Sequence, residues 1–363
     1  MKILIVIPSL TKGGAERVVS TLSNFWSNEH NVFIALFDVT KIEYSYTGSI
    51  IDINAPSSSN FFTKIINPFL RIMRLRKVMT EENFDSIFSF MESANFPTII
   101  STVLSGNKDK LSVSIRNNPS DFIMSHQILM RFLYDLPKRV IPISKGVEIW
   151  LHNHSIALKN SICVNNPIDL ELVNHKLRNI ENDFNFEYRP YILAVGRLNY
   201  QKGFDLLINA FSELRSLNLN LLIYGEGQDR EKLEKLIHDL GLDDRVFLKG
   251  LTNNIYSVFK SAEFFVLSSR YEGWGNVIME AMSCKCPVIS FDCDYGPREL
   301  ITNGLNGILV SPNNTIELKN AIQKLFLDEK LRKKLIKNAS RTIKHFDINL
   351  ISKEWLYEEI KRQ

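Results

Sequence analysis

Two cations and two carboxylates stand where their types and spacing can do chemistry. Arg197 and Lys202 lie in "GRLNYQKG", directly after an apolar run, while Glu272 and Glu280 lie in "EGWGNVIME". A guanidinium for bidentate phosphate contact and an ammonium as a point charge suit a diphosphate. As bare charges they read equally well as solvated surface groups. Gly273 and Gly275 loosen the chain, so a helix is expected to begin near Asn276, with the amides of Asn276 and Val277 at its anion-attracting start. If both glutamates shared that helix, about 12 Å would separate them, beyond the roughly 5–9.5 Å of glycosidase pairs, so hydrolysis is not favoured. Glu280 has Ile278, Met279, Ala281 and Met282 around it. A partly buried carboxylate there wants a specific partner such as a ribose diol, against the plainer reading of an exposed helix residue. Gly13 and Gly14 follow the run Ile3–Ile7 and open a helical pattern, an arrangement that exposes backbone amides to an anion. They lack the spacing of a dinucleotide fingerprint or a P-loop.

Metal chemistry is not expected. Cys284, Cys286 and Cys293 lack a fourth nearby ligand, and Asp292-Cys293-Asp294 runs into the turn residues Tyr295-Gly296-Pro297. His152 and His154 fall in a helical pattern, where residues two apart face different ways.

Those groups need a scaffold, and 363 residues are enough for two domains. Apolar runs at 3–7, 32–37, 86–90, 111–115, 140–143 and 161–164 alternate with amphipathic stretches. A second series runs at 191–195, 220–224, 246–249, 264–267, 288–291 and 307–310. Such alternation predicts parallel sheets with helices on both faces. Ligands then bind beyond the carboxyl ends of strands, where Gly196-Arg197, Gly225-Glu226-Gly227, Ser268-Ser269 and Asp292 stand. The expected division is 1–170, a polar linker at 171–189 closed by Arg189-Pro190, and 190–345, with a terminal helical segment at 346–363. A hydrophobic share of 45% and a charged share of 23% are those of a soluble protein, and no run is long enough to span a bilayer. With no secretory pattern at the start, a cytoplasmic protein with free thiols is expected.

Taken together, Gly13-Gly14, Gly196-Arg197 with Lys202, "YGEGQDREKL" at 224–233, Glu272 with Glu280, and "GPRELI" at 296–301 resemble glycosyltransferase family 4 along the whole chain. The resemblance implies an α/β GT-B fold, two Rossmann-like domains facing a central cleft, and a retaining transfer that needs no metal or cofactor. It implies that Arg197 and Lys202 neutralise the diphosphate of a nucleotide sugar, expected to be UDP-linked, assisted by Gly275, Asn276 and Val277. Glu280 would then hold ribose, the backbone at Gly250-Leu251 the base, and Glu272 a sugar hydroxyl. Gly13 and Gly14 would let the backbone approach the donor phosphate from the first domain. Where many relatives carry a histidine, this chain has Arg116 followed by Asn117, which assigns those two to the acceptor side. The segment around Trp355 would cross back onto the first domain.

No acidic residue occurs from 53 to 80, while Lys64, Arg71, Arg74, Arg76 and Lys77 fall there. A helix from about Pro68 would gather Arg71, Arg74 and Lys77 into a surface for anionic lipid. No stacking platform accompanies the charge, which argues against nucleic acid. The expectation is therefore a cytoplasmic enzyme, peripheral at the inner membrane face. It would move a hexose or N-acetylhexosamine from a nucleotide sugar to a lipid-linked or glycan acceptor. An epimerase of related architecture and a silent transferase-like subunit are the alternatives.

Overall fold

The computed structural model describes residues 1–11, 13–56, 61–178 and 186–356. They form two compact units, one of Met1–Pro167 completed by the chain from Ile348 onward, the other of Ile168–Asp347.

The first unit runs β1 (Lys2–Ile7), α1 (Gly14–Trp26), β2 (Asn31–Leu36), β3 (Ser49–Asp52), α2 (Phe61–Glu81), β4 (Ser86–Phe90), α3 (Glu92–Leu104), β5 (Leu111–Ile115), α4 (Met124–Leu133), β6 (Arg139–Pro142) and α5 (Lys145–Asn153). The second runs α6 (Leu170–Arg178), β7 (Tyr191–Val195), α7 (Phe204–Ser212), β8 (Asn220–Tyr224), α8 (Arg230–Asp239), β9 (Val246–Gly250) and α9 (Ile255–Ser261). It continues with β10 (Phe264–Leu267), α10 (Asn276–Ser283), β11 (Val288–Phe291), α11 (Pro297–Leu300), β12 (Ile308–Val310), α12 (Thr315–Leu327) and α13 (Glu329–Thr342). Helix α14 (Ile348–Leu356) returns to the first unit.

Each unit holds a six-stranded parallel sheet, in the orders β3-β2-β1-β4-β5-β6 and β12-β11-β10-β7-β8-β9. Both orders reverse at one point, between β1 and β4 and between β7 and β10, and ligand crevices open beyond the carboxyl ends there. Central strands read as unbroken apolar runs because helices cover both faces. Residues 3–7 are all fully buried, as are 191–194.

Several expectations change. The stretch 171–189 is not simply a linker: α6 begins at Leu170, packs on α9 and belongs to the second unit. Residues 179–185 lie outside the described ones. Strand β3 went unanticipated, and 161–164 is not a strand, having one regular bridge to β6, Ser161 to Val140. Helix α2 starts at Phe61 with Pro68 inside it.

The cationic helix also differs. Arg71 is buried; its Nε donates to the Ala55 carbonyl at 2.9 Å, and its guanidinium lies 4.4 Å from the Phe37 ring centroid. Arg74 donates to the Ile53 carbonyl at 2.7 Å and also to that of Asn54. Carbonyls leaving β3 need donors, and two long side chains from α2 supply them. These two arginines are therefore fasteners of the first unit rather than a lipid surface. Arg76 and Lys77 remain exposed, Lys77 lying 3.7 Å from Glu81. The side chain of Lys64 lies outside the described ones.

Candidate active site

The second sheet's point of reversal gathers the expected cations and carboxylates. After β7, Gly196 and Leu198 donate backbone hydrogen bonds to Tyr224 and Glu226, holding this turn against the end of β8. Lys202 closes a single turn capped by Asn199, whose side chain accepts from the Lys202 amide. The alkyl stem of Lys202 passes so near Gly196 that a Cβ there would stand 3.1 Å from it. Glycine at 196 is therefore what lets the lysine lie flat across the strand end.

From the other side, the loop after β10 is stitched to the same turn. Ser268 Oγ donates to the Lys202 carbonyl at 2.9 Å, and the Arg270 amide donates to the Gln201 carbonyl at 2.8 Å. Arg270 also forks onto Asp205 at 2.9 and 2.6 Å and stacks 4.0 Å over Tyr200. The result is that Lys202 Nζ meets Glu272 Oε1 at 2.5 Å, while Ser269 Oγ donates to the same oxygen at 2.6 Å. Glu272 is buried, so its charge is compensated by one ammonium and one hydroxyl. Burial, together with the Glu272 charge, pushes the Cys293 thiol up to about 12, which leaves it an unreactive neighbour. Arg197 is exposed and makes no ion pair or side-chain hydrogen bond among the described residues.

Helix α10 begins at Asn276, and its N-cap, Gly275, has φ 94°, a conformation that favours glycine. Glu280 is buried on it. Glu272 precedes this helix rather than sharing it, so the 12 Å separation expected for a common helix does not apply. Leu251, just past β9, is exposed. Ser269 was placed at a strand end but given no role, while Arg270, just beyond β10, and Asp205, in the first turn of α7, went unanticipated.

In the glycine pair of the first unit, Gly13 has a local role beside the one expected of it. Gly13 caps α1 in an extended conformation, and a Cβ there would collide with the carboxylate of Glu16. A glutamate at the third helical position turns back over the helix start, so that start already faces an internal anion. Gly14 is the first residue of α1.

On the same unit, Arg116 is buried after β5. It donates to Asn166 Oδ1 at 2.5 Å and to Ser114 Oγ at 3.4 Å, with Phe90 and Trp355 under its guanidinium at 5.6 and 6.0 Å. Asn117, the next residue, is exposed. The carboxyl of Glu92, the first residue of α3, was not anticipated at all.

The remaining metal-like clusters are otherwise engaged. Asp292 takes a two-pronged contact from Arg298 at 2.9 and 3.0 Å. His152 bonds Ser161, while His154 bonds the Trp150 carbonyl and stacks on that ring. The described residues hold no group of three or more His, Cys, Asp or Glu side chains arranged for a metal.

Known proteins resemble this chain in sequence and in fold. Residues 177–342 match the family model for glycosyl transferases group 1. The chain is 32% identical, over 98% of each protein, to the N-acetylgalactosamine-N,N'-diacetylbacillosaminyl-diphospho-undecaprenol 4-alpha-N-acetylgalactosaminyltransferase of Campylobacter jejuni. It is 28% identical, again over 98% of each, to the amylovoran biosynthesis glycosyltransferase AmsD of Erwinia amylovora. Among solved structures, Anabaena Alr3699/HepE in complex with UDP has a TM-score of 0.82 at 20% identity, covering 98% of this chain and 99% of that one. The fold is GT-B. With one relative above the 30% level along nearly its whole length, and with the matched segment containing the Lys202–Glu272 pair and the start of α10, the chain belongs to the group 1 glycosyl transferases and is a glycosyltransferase.

Proposed function

We propose that the protein is a retaining, metal-independent family 4 enzyme. It moves a hexose or N-acetylhexosamine from a UDP-linked sugar to a lipid-linked oligosaccharide or polysaccharide precursor at the cytoplasmic face of the membrane. The observation that carries this reading is the Lys202–Glu272 pair, fixed beside Arg197 and the start of α10 at one set of strand ends.

As the glycosidic bond of the donor breaks, its diphosphate gains negative charge. Arg197, Lys202 and the amides of Asn276 and Val277 are the groups to stabilise it, and Lys202 is already oriented, so little reorganisation accompanies the reaction. Glu272 positions a donor sugar hydroxyl, Glu280 the ribose, and the backbone at Gly250-Leu251 the base. The acceptor attacks on the face that the diphosphate leaves, and a donor phosphate oxygen takes its proton. Glu272 therefore has no covalent role. The acceptor class is supported by the diphospho-undecaprenol substrate in the name of the Campylobacter relative, and uridine by the UDP complex of the Anabaena protein.

Calorimetry of UDP, GDP, ADP and their sugar conjugates without added metal tests the reading. UDP is expected to bind, one UDP-sugar more tightly, and Arg197→Ala to weaken both by about tenfold or more. A folded sample that binds none of them would overturn it.

Membrane contact is carried in this reading by the stripe Ile66, Phe69, Met73 and Arg76–Lys77 of α2, whose members are exposed at helical spacing. Among the described residues no helix is long and apolar enough to cross a membrane.

A further inference from the structure

Strands β7 and β10 flank the second sheet's point of reversal, and their regular pairing covers only Ile192 with Phe264 and Leu193 with Phe265. Lys202 and Glu272 both stand further along the chain, where this ladder has ended. Another device must keep the turn and the loop that carry them in register, because groups that act together need to be held to a fraction of an ångström.

Arg270 supplies most of it. Its amide donates to the Gln201 carbonyl at 2.8 Å, and the Gln201 side chain returns a bond to the Tyr271 carbonyl at 3.1 Å. Its Nη1 donates to the Tyr200 carbonyl at 2.7 Å and to Asp205 Oδ1 at 2.9 Å, while Nη2 donates to Asp205 Oδ2 at 2.6 Å. The guanidinium also stacks 4.0 Å from the Tyr200 ring centroid. Gly203 lets the two pieces touch: its φ is 61°, and a Cβ there would stand 2.1 Å from the Ser268 carbonyl oxygen.

An exposed ion pair contributes little, because two flexible side chains must be ordered to make it. Here the guanidinium is largely buried and is held on its face as well as along its edge. These partners all lie between Tyr200 and Asp205, the segment that contains Lys202, and Tyr271 alone separates Arg270 from Glu272. Ordering one side chain thereby orders both halves of the Lys202–Glu272 pair.

We infer that Arg270, anchored by Asp205, is a positioning residue that sets Lys202 for the donor diphosphate. This rests on the donor reading proposed above. The two terminal nitrogens of Arg270 are already taken by Tyr200 and Asp205, so its influence on a phosphate ligand passes through Lys202. That influence vanishes where Lys202 is gone.

Two measurements on the full chain test this. Acetylation by limiting acetic anhydride, read peptide by peptide in a mass spectrometer, reports how firmly Lys202 is held with no ligand present. Arg270→Gln should raise the Lys202 rate about fivefold or more, with Lys249 and the lysines of the first unit unchanged. A Lys202 rate equal to wild type would overturn the inference. Asp205→Asn removes the anchor without touching the loop after β10, should act in the same direction, and decides the matter if Arg270→Gln does not fold. Calorimetry of UDP then locates the effect. Arg270→Gln should weaken UDP about tenfold in the wild-type background and leave it unchanged in the Lys202→Ala background. Equal weakening in both backgrounds would mean that Arg270 acts apart from Lys202, and that result, or no weakening in the first, would overturn the inference. A folded wild type that binds no UDP would instead overturn the donor reading, with the acetylation rates still deciding whether Arg270 holds Lys202.

Discussion

Lys202 and Glu272 are bonded to each other, which ties the proposed chemistry to stability at a single contact. Lys202→Ala would leave a buried carboxylate with only Ser269, at a cost of about 3 kcal/mol in urea unfolding as well as loss of turnover. Adding Glu272→Gln should recover most of that stability and none of the activity; a double variant as unstable as the single one would refute the coupling. Glu92 works in the opposite direction. Its carboxyl is pushed from 4.5 to about 7 in the folded protein, so the native state keeps a proton that the unfolded chain has lost. Stability therefore falls as pH rises from about 4.5 through about 7, by at most roughly 3 kcal/mol. Melting curves should place Glu92→Gln above wild type at about pH 8 and level with it near pH 4.5, and parallel curves would refute the shift. The residues of the proposed donor site could be singled out because Arg197, Lys202, Glu272 and Glu280 sit in glycine-marked stretches. Glu92 could not, since a lone glutamate in "FMESANFP" has no spacing to mark it.

At the scale of single elements, α2 shows how charge density along a sequence can mislead. Four of its cations are close together in the chain, yet Arg71 and Arg74 turn toward the carbonyls at 53–55 while Arg76 and Lys77 face outward. A long side chain's direction depends on which backbone groups elsewhere lack donors, and composition does not record that. Arg71→Met should destabilise the first unit by about 1–3 kcal/mol in thermal unfolding, because the Ala55 carbonyl loses its donor. Replacing Phe69, Arg76 and Lys77 together by Ser should leave the melting temperature unchanged and reduce sedimentation with anionic vesicles, most clearly at low salt. Binding equal to wild type would remove α2 from the membrane reading. Strands were read more reliably: 86–90, 111–115, 191–195, 220–224, 264–267 and 288–291 coincide with the structure. Strand β3 escaped because Ser49–Asp52 offers only two apolar residues and sits at the sheet edge. Residues 161–164 do run beside β6, the Ile162 and Val164 amides donating to the Val140 and Pro142 carbonyls, but the pairing amounts to a single parallel bridge rather than a strand.

The whole molecule is two units, and among the described residues each has a core cluster of its own. Trp355 is fully buried against Phe88 and Phe90, its indole donating to Asn165 and its carbonyl accepting from Arg139. Trp355→Ala should cost the first unit about 3–5 kcal/mol, seen as early loss of hydrogen-exchange protection in β4 and β6 with β7 and β10 unaffected. Uniform loss across both units would contradict separate cores. The return of α14 also fixes an order of events during synthesis. The ribosome delivers Phe90 long before Trp355, and at about 5–20 residues per second the gap between them lasts roughly 15–50 seconds. Throughout that interval the nascent first unit exposes the aromatic seat that α14 will fill, while Ile168–Asp347 can finish folding first. The part of the protein made first is thus completed last, and a chaperone that guards the emerging chain has the seat at Phe88 and Phe90 to cover.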